Sequence, residues 1–151
     1  MHIEQRMEEL GIVLPDPPAQ GGNYVSAKTV GQMIYLSGVL SMKDGVLITG
    51  TAGVDAGVSE GYAAARCCAL TQLAVLKRHL GSLDAIAEIV SVNGYVNATP
   101  RFAEMPKVIN GASDLLVEVF GEAGRHVRAA LGVSSLPRNA LVEVQMVVRI
   151  A

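Results

Sequence analysis

This 151-residue chain has no tryptophan, and only 4% of its residues are aromatic. Single-stranded nucleic acid is usually gripped by stacked aromatic rings, and that platform is missing here. Positive charge is also scarce. Twelve Lys and Arg against fourteen Asp and Glu leave a net charge of −2, with a pI near 5.9. No basic field is available to neutralise phosphates, so nucleic acid is not an expected partner. No apolar run reaches the roughly 18 residues that suggest a membrane span, so a membrane is not an expected partner either. The opening stretch MHIEQRMEEL is charged and has no apolar core, so no secretory signal is expected and the expected compartment is the cytoplasm.

Cysteine is nearly absent as well. Cys67 and Cys68 are adjacent, which is poor disulfide geometry on a helix, and their spacing does not suit zinc. They read as small buried apolar side chains, with a nucleophilic thiol as the alternative. His2, His79 and His126 are far apart and form no H-E-x-x-H pattern, so no metal site is expected. His126 alone lies next to the candidate site and stays open as a ligand contact. No G-x-S-x-G elbow is present, and Gly21-Gly22 and Gly50 to Gly53 lack the lysine of a phosphate loop. No cofactor is expected.

Half the residues are hydrophobic, enough for one domain with a core of Val, Leu, Ile and Ala. Ile3, Met7 and Leu10 at i, i+4 and i+7 predict a short helix over 3–10. Leu14 to Asn23, rich in Pro and Gly, reads as an extended linker. The expected division is therefore 1–22, helix and linker, and 23–151, a single α+β domain. Strands are expected over 24–30 and 32–36, parted near Gly31, with a short third over 46–48 after Lys43-Asp44-Gly45. A long helix over 59–80 carries the stripe Ala63, Cys67, Leu70, Leu73/Leu76 and Ala74, and Gly81 ends it. A turn over 83–86 leads into a strand over 87–96. There Val92, Gly94 and Val96 share one face, and Ile89, Ser91, Asn93 and Tyr95 the other. A second helix over 105–120 has Pro106 in its first turn and the stripe Ile109, Ala112, Leu116 and Val119/Phe120. The plan is β-β-(β)-α-β-α-β-β, an α+β sheet with both helices on one face.

The chemistry concentrates in Arg128 to Ile150. From Ala140 to Ile150 the even positions are apolar, and Glu143, Gln145 and Arg149 fall on odd ones, the period of a half-buried strand. A turn signal, Ser134 to Asn139, separates this strand from the run that opens with Arg128, so the two strands are expected to pair. Arg128 offers a fork of N–H donors suited to a carboxylate or phosphate, and Glu143 is a proton acceptor. An ordinary surface arginine and a solvent-facing glutamate are the competing readings.

R-x-x-x-x-V-x-x-L-P followed by V-E-V, here Arg128, Val133, Leu136, Pro137 and Val142-Glu143-Val144, resembles the C-terminal signature of the reactive intermediate deaminase (Rid, YjgF-like) family. Asn23-Tyr24-Val25-Ser26, Ile34 to Gly38 and Asn110 match shorter family motifs, so the resemblance runs from about Tyr24 to Ala151. It implies a chorismate-mutase-like fold and a homotrimer with sites in the clefts between subunits. It implies catalytic roles for Arg128, which binds the substrate carboxylate, and Glu143, which positions water. Tyr24, Ser37, Gly38, Asn110 and Ala130 are implied substrate-binding residues, with Tyr24 reaching the site from a neighbouring subunit. Ala130 stands where many members have Cys, a position that acts mainly through its backbone. The region from Phe102 to Asn110 is about one helical turn longer, as in a less characterised branch. The implied activity is hydrolytic deamination of 2-enamine or 2-imine acids to 2-keto acids and ammonia. A non-enzymatic carboxylate-binding regulator and an endoribonuclease or translation inhibitor are the alternatives.

Overall fold

The last strand of the chain forms the middle of the sheet. In the computed structural model, which describes residues 2–19 and 22–151, β8 (Val142–Ile150) lies between β2 (Met33–Leu36) and β6 (Ile86–Asn97) and is antiparallel to both. Gln20 and Gly21 of the expected linker, and Met1, lie outside the described residues. β1 (Ala27–Val30) pairs with β2 through the turn at Gly31 and Gln32, where Gly31 takes φ +61°, a left-handed conformation cheap only for glycine. β3 (Val39–Leu40) pairs with β8 beyond the end of β2. β4 (Met42–Lys43) and β5 (Val46–Leu47) form a separate hairpin around Asp44-Gly45, both at positive φ, as a tight two-residue turn requires. β7 (Val127–Val133) closes the far edge, giving the order β1-β2-β8-β6-β7.

That order corrects one expectation. β7 and β8 are neighbours in sequence but do not pair. β6 lies between them, and β7 runs parallel to β6. A parallel neighbour cannot be reached by a tight turn, so α3 (Met105–Phe120) supplies the crossover. The chain then needs the 134–141 loop to step over β6 to the β8 position.

Both long helices, α2 (Val58–Leu80) and α3, cover one face of the sheet, as the α+β plan requires. Val142, Val144, Met146 and Val148 on β8, and Val92 and Val96 on β6, point into the layer beneath them and are buried. Gly94 leaves room for Ile109 of α3. A Cβ at Gly111 would collide with the Tyr62 carbonyl, so this glycine sets how closely α3 approaches α2. The stripe expected for α3 is buried, joined by Val108 and Leu115.

The stripe expected for α2 holds in its second half, where Leu73, Ala74 and Leu76 are buried, and is out of phase in the first. Ala63 is exposed and Cys67 and Leu70 are half-buried, whereas Ala64, Ala65, Cys68, Ala69 and Gln72 are buried. This helix touches the sheet on one side and α3 on the other, and its small residues give little periodic contrast. Ile89 of β6 also departs from expectation. Irregular registers at Ile86/Glu88 and Ile89/Ser91 shift the strand's alternation, and Ile89 turns in to the core beside Val148. The N-terminal helix α1 (Ile3–Glu9) buries Ile3 and Met7 against the same core. No helix among the described residues is long and apolar enough to cross a membrane.

Candidate functional site

Alternation along the strands decides where each candidate side chain points. Arg128 on β7 is level with Val92 of β6, which is level with Met146 of β8, so Arg128 leaves the sheet on the helix side. Glu143 is level with Tyr95 and leaves on the open side. The two residues therefore emerge from opposite faces. Two strand spacings, roughly 10 Å, separate them across the sheet, and three residues, about 10 Å, along it. Within one chain they cannot hold the same small molecule.

Each heads its own cluster. Around Arg128, Nη1 donates to Asn110 Oδ1 at 2.8 Å and to Ser113 Oγ at 3.1 Å, and Nη2 donates to the Pro106 carbonyl at 3.4 Å. All three acceptors sit on the first three turns of α3. Asn110 and Ser113 are three residues apart and so share a helix face. The guanidinium is exposed, and among the described residues it pairs with no carboxylate. Ala130 follows on the same side of β7, level with Gly94. Asn110 thus orients Arg128 within the chain, a more specific placement than the resemblance implies. Ser113 was missed from sequence, although its i+3 spacing from Asn110 was a usable signal.

Around Glu143, Gly38 is in direct contact. A Cβ there would meet Oε2, with Cδ at 3.1 Å and Cγ at 3.3 Å, so only glycine lets the carboxylate lie across this backbone. Glu143 is half-buried with no hydrogen-bond partner among the described residues, and burial pushes its carboxyl pKa up. Ser37 donates from Oγ to the Val25 carbonyl at 2.6 Å, and its N–H donates to the Ser26 carbonyl at 2.9 Å. That ties the Ser37-Gly38 corner to the segment after Tyr24. Tyr24 is exposed and lines a cavity of about 180 Å³ with Gly38, Val39, Leu40, Thr71 and Arg138.

Gln72, also missed from sequence, holds the corner from below. It is fully buried, and its Nε2 donates to the Ser37 and Val144 carbonyls, both at 2.9 Å. These carbonyls lie where the pairing of β8 passes from β2 to β3, so the amide replaces a broken ladder. The structure therefore brings Arg128, Asn110 and Ala130 together, and separately Glu143, Gly38, Ser37 and Tyr24.

The cysteines offer no ready nucleophile. Cys68 is buried, with Sγ 3.7 Å from the Val39 and Val142 carbonyls, and burial pushes its thiol pKa well up. Burial also raises that of Cys67. His79 bonds Thr29 at 2.7 Å, and no three potential metal ligands gather among the described residues.

The YjgF/chorismate mutase-like family, whose description adds an inferred endoribonuclease activity, matches residues 4–150. Protein TCP17 of Trypanosoma cruzi is 43% identical over 150 residues, covering 98% of this chain and 94% of that protein. A solved structure of a protein of unknown function from Agrobacterium tumefaciens is 44% identical, with a TM-score of 0.90 over 99% of this chain and 92% of that one. Another, from Shewanella oneidensis and named for an inferred endoribonuclease, is 39% identical with a TM-score of 0.93, covering 98% of this chain and 99% of that one.

Proposed function

The chain belongs to the Rid/YjgF-like family, and on that premise we propose that it hydrolyses 2-imine acids in the cytoplasm, at sites completed between the subunits of a homotrimer. The observation that carries this reading is Arg128, an exposed guanidinium on β7 held in place by three acceptors of α3 and paired with no carboxylate among the described residues. Its Nε–Nη2 edge suits the two oxygens of a substrate carboxylate.

The second half supports the chemistry. In the proposed trimer, Glu143 and the Ser37-Gly38 corner of one subunit face Arg128 of the next. The open face of the sheet exposes Val30, Tyr35, Val127 and Leu131, an apolar surface suited to a second copy. Glu143, its pKa raised by burial, accepts a proton from water as the water oxygen bonds to the imine carbon. Glu143 returns that proton to the nitrogen, then takes the hydroxyl proton of the resulting carbinolamine and passes it to the nitrogen too, so the C=O bond forms as the C–N bond breaks and a 2-keto acid and ammonia leave. The imine carbon is already electrophilic, so no covalent enzyme intermediate is required.

The test generates 2-aminoacrylate-type imines in situ and follows keto acid release above the spontaneous rate. Arg128→Ala is expected to lose more than about tenfold in activity, because hydrogen bonds to a charged group contribute about 1.5–3 kcal/mol each. Wild-type protein that binds 2-keto acids but accelerates no imine would replace the hydrolase by a carboxylate-binding regulator.

A further inference from the structure

The contacts of Arg128 continue beyond the first layer of α3. Ser113 Oγ, which Nη1 reaches at 3.1 Å, lies 2.8 Å from His126 Nε2, and His126 Nδ1 lies 2.6 Å from the Gly124 carbonyl oxygen. The two ends of this chain of contacts determine where its protons sit. A carbonyl oxygen only accepts, so Nδ1 carries a proton and donates to Gly124. A guanidinium only donates, so Ser113 Oγ accepts from Arg128. With Nδ1 protonated, a neutral imidazole keeps its lone pair on Nε2, and the Ser113 hydroxyl donates there. Every group is satisfied, and all donors run one way from Arg128 to Gly124.

The surroundings favour that neutral ring. Burial lowers the His126 pKa and the Arg128 charge lowers it further, against the opposing pull of the Gly124 carbonyl. A protonated His126 would need Ser113 Oγ to accept from two cations at once. Both hydrogens of Nη1 are then accounted for, one to Asn110 and one to Ser113. An exposed arginine otherwise has many rotamers of similar energy, and without Ser113 the guanidinium keeps only the Asn110 bond and the long 3.4 Å contact to the Pro106 carbonyl, which hold its plane less firmly.

We propose that Ser113 and His126 are positioning residues for Arg128: they fix the plane of its guanidinium so that the Nε–Nη2 edge faces the substrate carboxylate. The inference rests on reading Arg128 as the carboxylate receptor. It assigns a role to His126, half-buried and touching Arg128 only through Ser113.

The experiment measures 2-ketobutyrate binding calorimetrically on the assembled protein, together with the melting midpoint. Ser113→Ala and His126→Leu are expected to weaken binding about three- to tenfold, the loss of one net hydrogen bond. His126→Gln, whose side-chain oxygen can accept the Ser113 hydroxyl, is expected to restore most of the affinity. A purely structural role predicts lower melting midpoints with affinity within about twofold of wild type, and that result would overturn the proposal. So would a His126→Gln variant no better than His126→Leu. Arg128→Ala separates the two readings. If it loses binding while the Ser113 and His126 variants keep it, only the positioning role fails. If the wild type itself does not bind, the receptor reading fails and takes this one with it. Nitrogen-15 NMR of the wild type needs no variant. It is expected to show His126 protonated at Nδ1 and bare at Nε2, and the opposite tautomer would refute the relay.

Discussion

Mixing two inactive proteins is expected to restore activity. Arg128 and Glu143 leave opposite faces of the sheet and lie roughly 10 Å apart both across and along it, so one chain cannot supply both to one substrate. An Arg128→Ala subunit keeps the Glu143 half and a Glu143→Gln subunit keeps the Arg128 half. Unfold the two together in equal amounts and refold them into mixed trimers. A site is whole when its Arg128 comes from a Glu143→Gln subunit and its Glu143 from an Arg128→Ala neighbour. Random assortment makes about one site in four whole, so about a quarter of wild-type imine hydrolysis should return. Each protein refolded alone should stay near the spontaneous rate, as should the two mixed without unfolding. The assay is keto acid release from imine generated in situ, with assembly followed by light scattering. Mixed trimers that form but show no recovery would refute the divided site, and a monomeric mass at micromolar concentration would remove the trimer.

Other perturbations separate the two halves. Glu143 has a raised pKa in the fold, so the native chain binds more protons than the unfolded one between the ordinary carboxyl range and that raised value, and ionised Glu143 costs stability above it. Glu143→Gln should therefore melt higher than wild type near neutral pH, and the gain should vanish as pH falls below the ordinary carboxyl range, as calorimetric scans across pH would register. Gly38→Ala should push the Glu143 carboxylate aside and lower kcat more than it raises KM, since the guanidinium is untouched; equal effects on both would count against this placement. Arg128→Lys should recover only part of the Arg128→Ala loss in 2-ketobutyrate binding, because an ammonium lacks the planar fork. Gln72→Leu should leave the Ser37 and Val144 carbonyls unpaired in the core, about 1–3 kcal/mol each, and lower the melting midpoint sharply in chemical or thermal denaturation.

Strong periodicity was readable without coordinates. The α3 stripe, the alternation of β8 and the glycine turn between β1 and β2 are each dictated by local residues, and all hold in the structure. Weak periodicity was not. The first half of α2 is buried on two sides and built of small residues, so its phase could not be taken from hydrophobicity, whereas Leu73 and Leu76 further on are buried as their size suggests. The bulged start of β6 reverses alternation for Ile89 with no special residue to announce it. Pairing β7 with β8 was the natural reading of adjacent strands, and it failed because a parallel crossover through α3 placed β6 between them. The candidate residues were legible as types and motifs. Their separation onto two faces was not, since it depends on that strand order. Ser113 and Gln72 escaped notice because a polar residue in a helix looks like solvated surface until its partners are known.

The central place of β8 also bears on how the protein is made. The chain is synthesised from its amino terminus, and the strand that joins β2 to β6 comes last. Until it emerges, the β1–β2 hairpin presents Met33, Ile34 and Tyr35 with nothing to pair with on that edge, and β6 lacks its antiparallel neighbour. The nascent chain thus carries two unpaired strand edges and a half-built core, a state prone to association with other chains. Closing the sheet joins residues more than a hundred positions apart, which makes folding slow for the chain's size. Truncation before Val142 would remove the middle of the sheet.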